Sequence, residues 1–155
     1  SQPYIVALMT EALELTAESR VLGIGTGSGY AAAVLSRMAD EVYTVERHRA
    51  LAKQALDRFQ SLAYHNIHVL HGDGTLGWPE HAPYDGIVVT AGGPQVPEPL
   101  LSQLAIGGRL VIPVGLTLLT QELIRVTRTA DEDYRREKMG AVRFVPLVGE
   151  AGWEE

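Results

Sequence analysis

Cysteine is absent from all 155 residues, which excludes disulfides, thiolate metal sites and cysteine nucleophiles together and suits a reducing compartment. No apolar run approaches the roughly 20 residues needed to cross a bilayer, and no basic-then-apolar leader opens the sequence, so a cytoplasmic chain with no membrane partner is expected. Positive charge is scarce: 13 Lys and Arg against 19 Asp and Glu give a net charge of −6, and no basic run is longer than Arg135-Arg136. A nucleic-acid partner therefore has little electrostatic support. The five histidines, His48, His65, His68, His71 and His81, lack metal-ligand spacing, so no metal site is expected. Repeats and low-complexity linkers are missing as well. What remains is 46% hydrophobic residues over a length ample for one core, which predicts a single domain over residues 1–155.

The hydrophobic pattern alternates between helical and strand-like segments, predicting an α/β fold with a doubly wound, mostly parallel sheet covered by helices on both faces. Residues 3–15 place Ile5, Leu8, Ala12 and Leu15 at helical spacing, with Ser1 and Pro3 suited to a helix start. Strands are expected at Arg20–Ile24, Glu41–Glu46, Ile67–His71 and residues 84–90. Between them lie a helix of small residues from Ala31 to near Asp40 and an amphipathic helix over residues 49–63, with Leu51, Ala55, Phe59 and Leu62 on one stripe. The β-branched run at 84–90 marks the middle of the sheet. Beyond it come a short helix near residues 98–104, a turn at Gly107-Gly108 and a fifth strand at 109–114. The alternating segments 122–128 and 138–147, separated by Asp131-Glu132-Asp133, are expected to close the sheet as a C-terminal antiparallel hairpin.

The run from Val21 to Tyr30 joins a strand to a helix through alternating glycines. Glycine permits a tight turn and close approach to a ligand, and the following helix start offers unpaired N–H groups; a purely structural turn is the competing explanation. In an open α/β sheet, ligands bind outside the carboxyl ends of the strands, near the switch in strand order. Glu46 stands about twenty residues past the glycines, the spacing at which a carboxylate accepts ribose hydroxyls, against the plainer reading of a solvated strand-end carboxylate. Asp73, between Gly72 and Gly74, either accepts an adenine amine or forms an Asx turn. A dinucleotide fingerprint needs glycine or alanine where this chain has the bulky Tyr30. Gly25-x-Gly27-x-Gly29 points instead to S-adenosylmethionine, which has no pyrophosphate.

With these residues in place the sequence resembles the protein-L-isoaspartate O-methyltransferases. The resemblance runs through Ser1-Gln2-Pro3-Tyr4, Ile24 to Tyr30, His71-Gly72-Asp73-Gly74, Ala82-Pro83-Tyr84-Asp85, Gln103-Leu104, Gly107 to Gly115 and Arg143-Phe144-Val145-Pro146-Leu147. Generic methyltransferases lack the first and last of these blocks. The resemblance implies a class I, Rossmann-like methyltransferase that transfers a methyl group from S-adenosyl-L-methionine to the carboxyl of L-isoaspartyl residues in damaged proteins and peptides, leaving S-adenosyl-L-homocysteine. Matched residue by residue, Gly25, Thr26, Gly27 and Gly29 would line the methionine end of the cofactor, Glu46 the ribose, and Asp73 with Gly74 the adenine. Ser1 matches the family's active-site serine and would orient the substrate carboxylate; a helix N-cap is its other reading.

The resemblance also implies a segment ahead of Ser-Gln-Pro-Tyr, which this sequence does not contain, and an acidic residue where Gly23 stands. Two alternatives therefore remain open on the residues alone: an N-terminally truncated cofactor-binding core with little or no turnover, and a class I methyltransferase acting on another acceptor. A monomer, or weak self-association through surface left uncovered, is expected. If Ser1 orients the acceptor, Ser1→Ala is expected to lower turnover more than cofactor affinity; equal rates for both proteins in a methyl-transfer assay would return Ser1 to the role of a cap.

Overall fold

The computed structural model describes residues 2–155, so Ser1 lies outside the described residues. The helices are α1 (Pro3–Ala12), α2 (Tyr30–Ser36), α3 (Arg49–Ser61) and α4 (Glu98–Ser102). The strands are β1 (Arg20–Ile24), β2 (Glu41–Glu46), β3 (Ile67–His71), β4 (Tyr84–Val89), β5 (Leu104–Thr117), β6 (Thr120–Ala130) and β7 (Asp133–Val142). They form one seven-stranded sheet in the order β3-β2-β1-β4-β5-β6-β7. β1 to β5 run parallel, and β6 and β7 add as antiparallel neighbours. The α/β class and the position of β4 at the centre agree with the sequence reading.

Handedness explains which helix covers which face. Parallel crossovers are right-handed almost without exception. The chain steps from β1 to β2 to β3 in one direction through α2 and α3, then jumps back past β1 to β4 and continues through α4 to β5. Reversing direction obliges the connections to change face. Accordingly α1 with the Leu13 that follows it, α2 and α3 contribute Met9, Leu13, Leu35 and Phe59 to one buried cluster with Val42, Val88 and Val111 of the sheet. The opposite face packs Leu22, Ile87, Leu110 and Ile112 against Leu100 and Leu101 of α4 and against Leu147. β4 is buried on both sides, which its run of Ile87, Val88 and Val89 anticipates.

Three local expectations need correction. Helix α1 stops at Ala12 rather than near residue 15, because Glu14 takes a left-handed φ of 50° and Arg125 donates to the Ala12 carbonyl at 3.2 Å. That turn brings the Glu14 carboxylate to Arg109 at 3.2 Å and to Arg125 at 3.3 Å, tying the end of the helix to β5 and β6. Gly107-Gly108 is not a turn before a strand but a bulge within β5: Tyr84 faces Leu104 and Gly86 faces Arg109, with Gly107 at φ 86°. Two residues of β4 thus oppose a longer stretch of β5, and the extra chain loops outward.

The last strand is also displaced. β7 begins at Asp133 and ends at Val142, while residues 143–147 leave the sheet. Gln121 accounts for this, accepting the Phe144 N–H at 2.7 Å and donating to the Phe144 carbonyl at 3.3 Å. Gly92 then donates to the Val145 carbonyl and accepts from the Leu147 N–H, at 2.7 and 2.9 Å. Pro146, without an N–H, could not continue a ladder. The segment becomes a strap across the carboxyl ends of the strands.

Leu110 is fully buried at the middle of β5 between β4 and β6. Leu110→Ala is expected to cost about 2–5 kcal/mol, read as a lower urea midpoint with an unchanged denaturant slope; a midpoint equal to wild type would show that the sheet closes over the cavity.

Candidate active site

The glycine turn after β1 is fastened at every residue. Gly25, Gly27 and Gly29 have φ of 93°, 52° and 92°, a backbone that side chains strain. A Cβ on Gly25 would stand 2.8 Å from Thr90 Oγ1, and one on Gly29 would stand 2.8 Å from the Phe59 ring of α3. Gly25 N–H donates to the Val45 carbonyl at 2.9 Å, and Thr90 Oγ1 donates to the Ile24 carbonyl at 3.0 Å. Arg58 of α3 donates to the Ser28 carbonyl. Beneath the turn, Thr26 and Thr44 share a buried hydroxyl hydrogen bond of 2.7 Å. Among the described residues, the N–H groups of Thr26 and Ser28 have no acceptor and remain for a ligand.

Glu46 ends β2 and is buried, with 5% exposure. Its Oε1 accepts the Gly27 N–H at 3.0 Å and its Oε2 accepts the His48 N–H at 2.8 Å. A carboxylate has about four acceptor positions, so two remain. One side chain therefore holds the glycine turn and keeps capacity for a ligand's hydroxyls. It is not the solvated strand-end carboxylate that was the competing reading.

A cleft of about 530 Å³ opens above these groups, lined by Gly25, Thr26, Gly27, Glu46 and Gly74 from the predicted set. Gly29 starts α2 just below it. Asp73 is placed differently from the rest: its Oδ1 accepts the Thr75 N–H at 2.9 Å and the Thr75 hydroxyl at 2.7 Å, and its Oδ2 accepts the Glu150 N–H at 2.9 Å. It thus forms the Asx turn and also fastens the C-terminal segment, keeping one acceptor position on Oδ2. Thr90, which touches the glycine turn, Ala91 and the strap from Arg143 to Val148 complete the lining of the cleft. The sequence reading used this strap as a motif but expected a strand there. Thr44, Arg58 and Gln121 were missed because they support the site from other elements and carry no local signature.

Gly23 lies within β1 opposite Thr44 and Val88. A side chain there would begin 3.7 Å from Thr44 Oγ1, an ordinary contact distance.

The geometry of the cleft suits S-adenosylmethionine. The turn keeps a positive-φ backbone at Gly25, Gly27 and Gly29, two N–H groups are free for a carboxylate, Glu46 has spare acceptors for hydroxyls, and the volume falls within the range typical of small-ligand sites. Fold and cleft together define a class I S-adenosylmethionine-dependent methyltransferase. The family model for protein-L-isoaspartate(D-aspartate) O-methyltransferase matches residues 1–152. The chain is 67% identical to protein-L-isoaspartate O-methyltransferase 1 of Geotalea uraniireducens, over 99% of this chain and 70% of that protein. It is equally similar, at 67%, to protein-L-isoaspartate O-methyltransferase 2 of Pelobacter propionicus, over 99% and 68%. A solved protein-L-isoaspartate O-methyltransferase superposes with a TM-score of 0.91 at 36% identity, covering 98% of this chain and 49% of the other. A Plasmodium falciparum beta-aspartate methyltransferase in complex with S-adenosyl-L-homocysteine gives a TM-score of 0.76 at 25% identity, over 96% and 75%. The chain belongs to the protein-L-isoaspartate(D-aspartate) O-methyltransferase family. It is thus an enzyme of protein repair, using S-adenosyl-L-methionine to methylate isoaspartyl carboxyl groups.

Burial raises the Asp73 carboxyl's pKa, but the Glu150 N–H, the Thr75 hydroxyl and N–H and the Arg47 charge together outweigh it and hold the group below its ordinary 3.8. A depressed carboxylate stabilises the fold at pH values above 3.8, and that contribution is lost as pH falls through the native value. The stability difference between wild type and Asp73→Asn is therefore expected to be constant near neutrality and to shrink in acid below 3.8; a difference independent of pH in urea titrations would contradict this.

Proposed function

We propose that the cleft at the ends of β1, β2 and β4 performs the family's transfer, with each residue in the role its position supports. Gly25, Thr26, Gly27 and Gly29 form the cradle for the methionine end, Glu46 takes the ribose hydroxyls, and Gly74 with the spare Oδ2 position of Asp73 faces the adenine. Ser1, ahead of α1, hydrogen-bonds the acceptor carboxylate. The observation that carries this reading is Glu46, buried, held by two backbone N–H groups and still able to accept from a ligand.

Bound in the cleft, S-adenosylmethionine would supply an electrophilic methyl on a positive sulfur. As a carboxylate oxygen bonds the methyl carbon, the methyl–sulfur bond would break, its electron pair leaving with S-adenosylhomocysteine, and no proton would move. The acceptor is already ionised at neutral pH, so the chain needs no general base. Its task is orientation, holding the two reactants in line and away from water. The prefastened glycine turn contributes by leaving little loop entropy to lose on binding. We also infer that residues 1–155 act as a single domain, supported by the one continuous sheet. The protein works in the cytoplasm, supported by the lack of cysteine, as a monomer or weakly self-associating species on isoaspartyl proteins and peptides rather than nucleic acid.

Calorimetry with S-adenosylmethionine, followed by methylation of an isoaspartyl peptide, tests the assignment. Wild type is expected to bind and turn over. Glu46→Gln keeps one acceptor but aims an NH₂ at a backbone N–H, and is expected to weaken binding by about tenfold or more. Unchanged affinity in that variant would remove Glu46 from the site, and binding without turnover would favour a cofactor-binding core.

A further inference from the structure

We propose that Arg143 is a recognition residue for the acceptor, its guanidinium gripping the substrate carboxylate before transfer and releasing it as the ester. The proposal rests on the isoaspartyl carboxylate being the acceptor. Two arginines line the cleft, Arg47 and Arg143. Arg47 is engaged, its guanidinium 2.7 Å from the Glu155 carboxylate. Arg143 is exposed, and no carboxylate or carbonyl among the described residues accepts from it.

Its mounting is not loose. The next residue, Phe144, is clamped at both N–H and carbonyl by Gln121, itself only 4% exposed, and Val145 and Leu147 are pinned to Gly92. A buried amide reserved for fixing the backbone beside an unengaged arginine presents that arginine from a rigid base. It stands on the strap, which lines the same cleft as the glycine turn and Glu46, and a cofactor in the cradle would leave it for the acceptor.

The chemistry calls for a cation there. The protein carries a net charge of −6, which repels an anionic substrate at long range. Guanidinium is permanently charged and matches a carboxylate with two parallel N–H donors. Methylation removes the acceptor's negative charge, so the same contact that favours substrate no longer holds product. Val145, 69% exposed beside it, offers apolar surface to a neighbouring side chain of the peptide.

The test compares wild type, Arg143→Ala and Arg143→Lys by steady-state methylation of an isoaspartyl peptide at low and high salt, with S-adenosylmethionine affinity measured by calorimetry. Arg143→Ala is expected to raise the peptide KM by about tenfold or more and to flatten its salt dependence. Arg143→Lys is expected to recover part of the loss, and cofactor affinity to stay at the wild-type value in both. A peptide KM and salt dependence equal to wild type in Arg143→Ala would overturn the proposal, as would a loss confined to cofactor affinity, which would move Arg143 to the cofactor's side. A wild-type protein that binds cofactor but leaves the isoaspartyl peptide unmethylated would fail at the acceptor itself, and Arg143's role would fall with it.

Discussion

The reversal of strand order between β1 and β4 is the constraint on which the rest of the molecule depends. Right-handed crossovers force α2 and α3 onto one face and α4 onto the other, so the chain leaving β1 and the chain leaving β4 diverge. The gap between them is the cleft. It cannot be filled by the protein's own helices without breaking that handedness, and it lies beside the Gly25 to Gly29 turn because that turn is the β1 exit.

Within the gap, precision comes from side chains that hold backbone. Glu46 fixes Gly27, Thr90 fixes Ile24, Arg58 fixes Ser28, and Phe59 fills the space that the missing Cβ of Gly29 leaves. On the facing wall, Gln121 and Gly92 fix the strap, while Asp73 and Thr75 fix the turn that follows it through the N–H groups of Glu150 and Ala151. Both walls are thus irregular chain made rigid by polar contacts rather than by secondary structure. Such contacts leave the facing N–H groups free for ligands, which a helix or strand would have consumed.

The antiparallel end of the sheet has a second task. β6 carries Arg125, which joins the Ala12 carbonyl, Glu14 and Glu137. Helix α1, which lines the cleft through Val6, is therefore seated by the hairpin as well as by its apolar face. The strap, coming directly out of β7, is positioned by the same hairpin. One antiparallel addition to the parallel sheet supports both sides of the site.

Much of this was legible in the chain itself. β1, β2 and β3 match their expected bounds because period and glycine punctuation are local properties. The glycine loop and Glu46 were legible because their spacing is set by the length of one strand-helix-strand unit. Other features were not. The bulge at Gly107 depends on the register of β4, the end of α1 depends on Arg125 more than a hundred residues away, and residues 143–147 look like a strand until Gln121 withdraws them from the sheet. Asp73's partner at Glu150 is 77 residues away in sequence. Sequence alone therefore determined the fold class, the family and the residues of the glycine loop, since these rest on short-range pattern. Tertiary structure decided which polar side chains fasten that loop, where the strap lies and which arginine is left unengaged, since each of those is a competition between groups that only folding brings together.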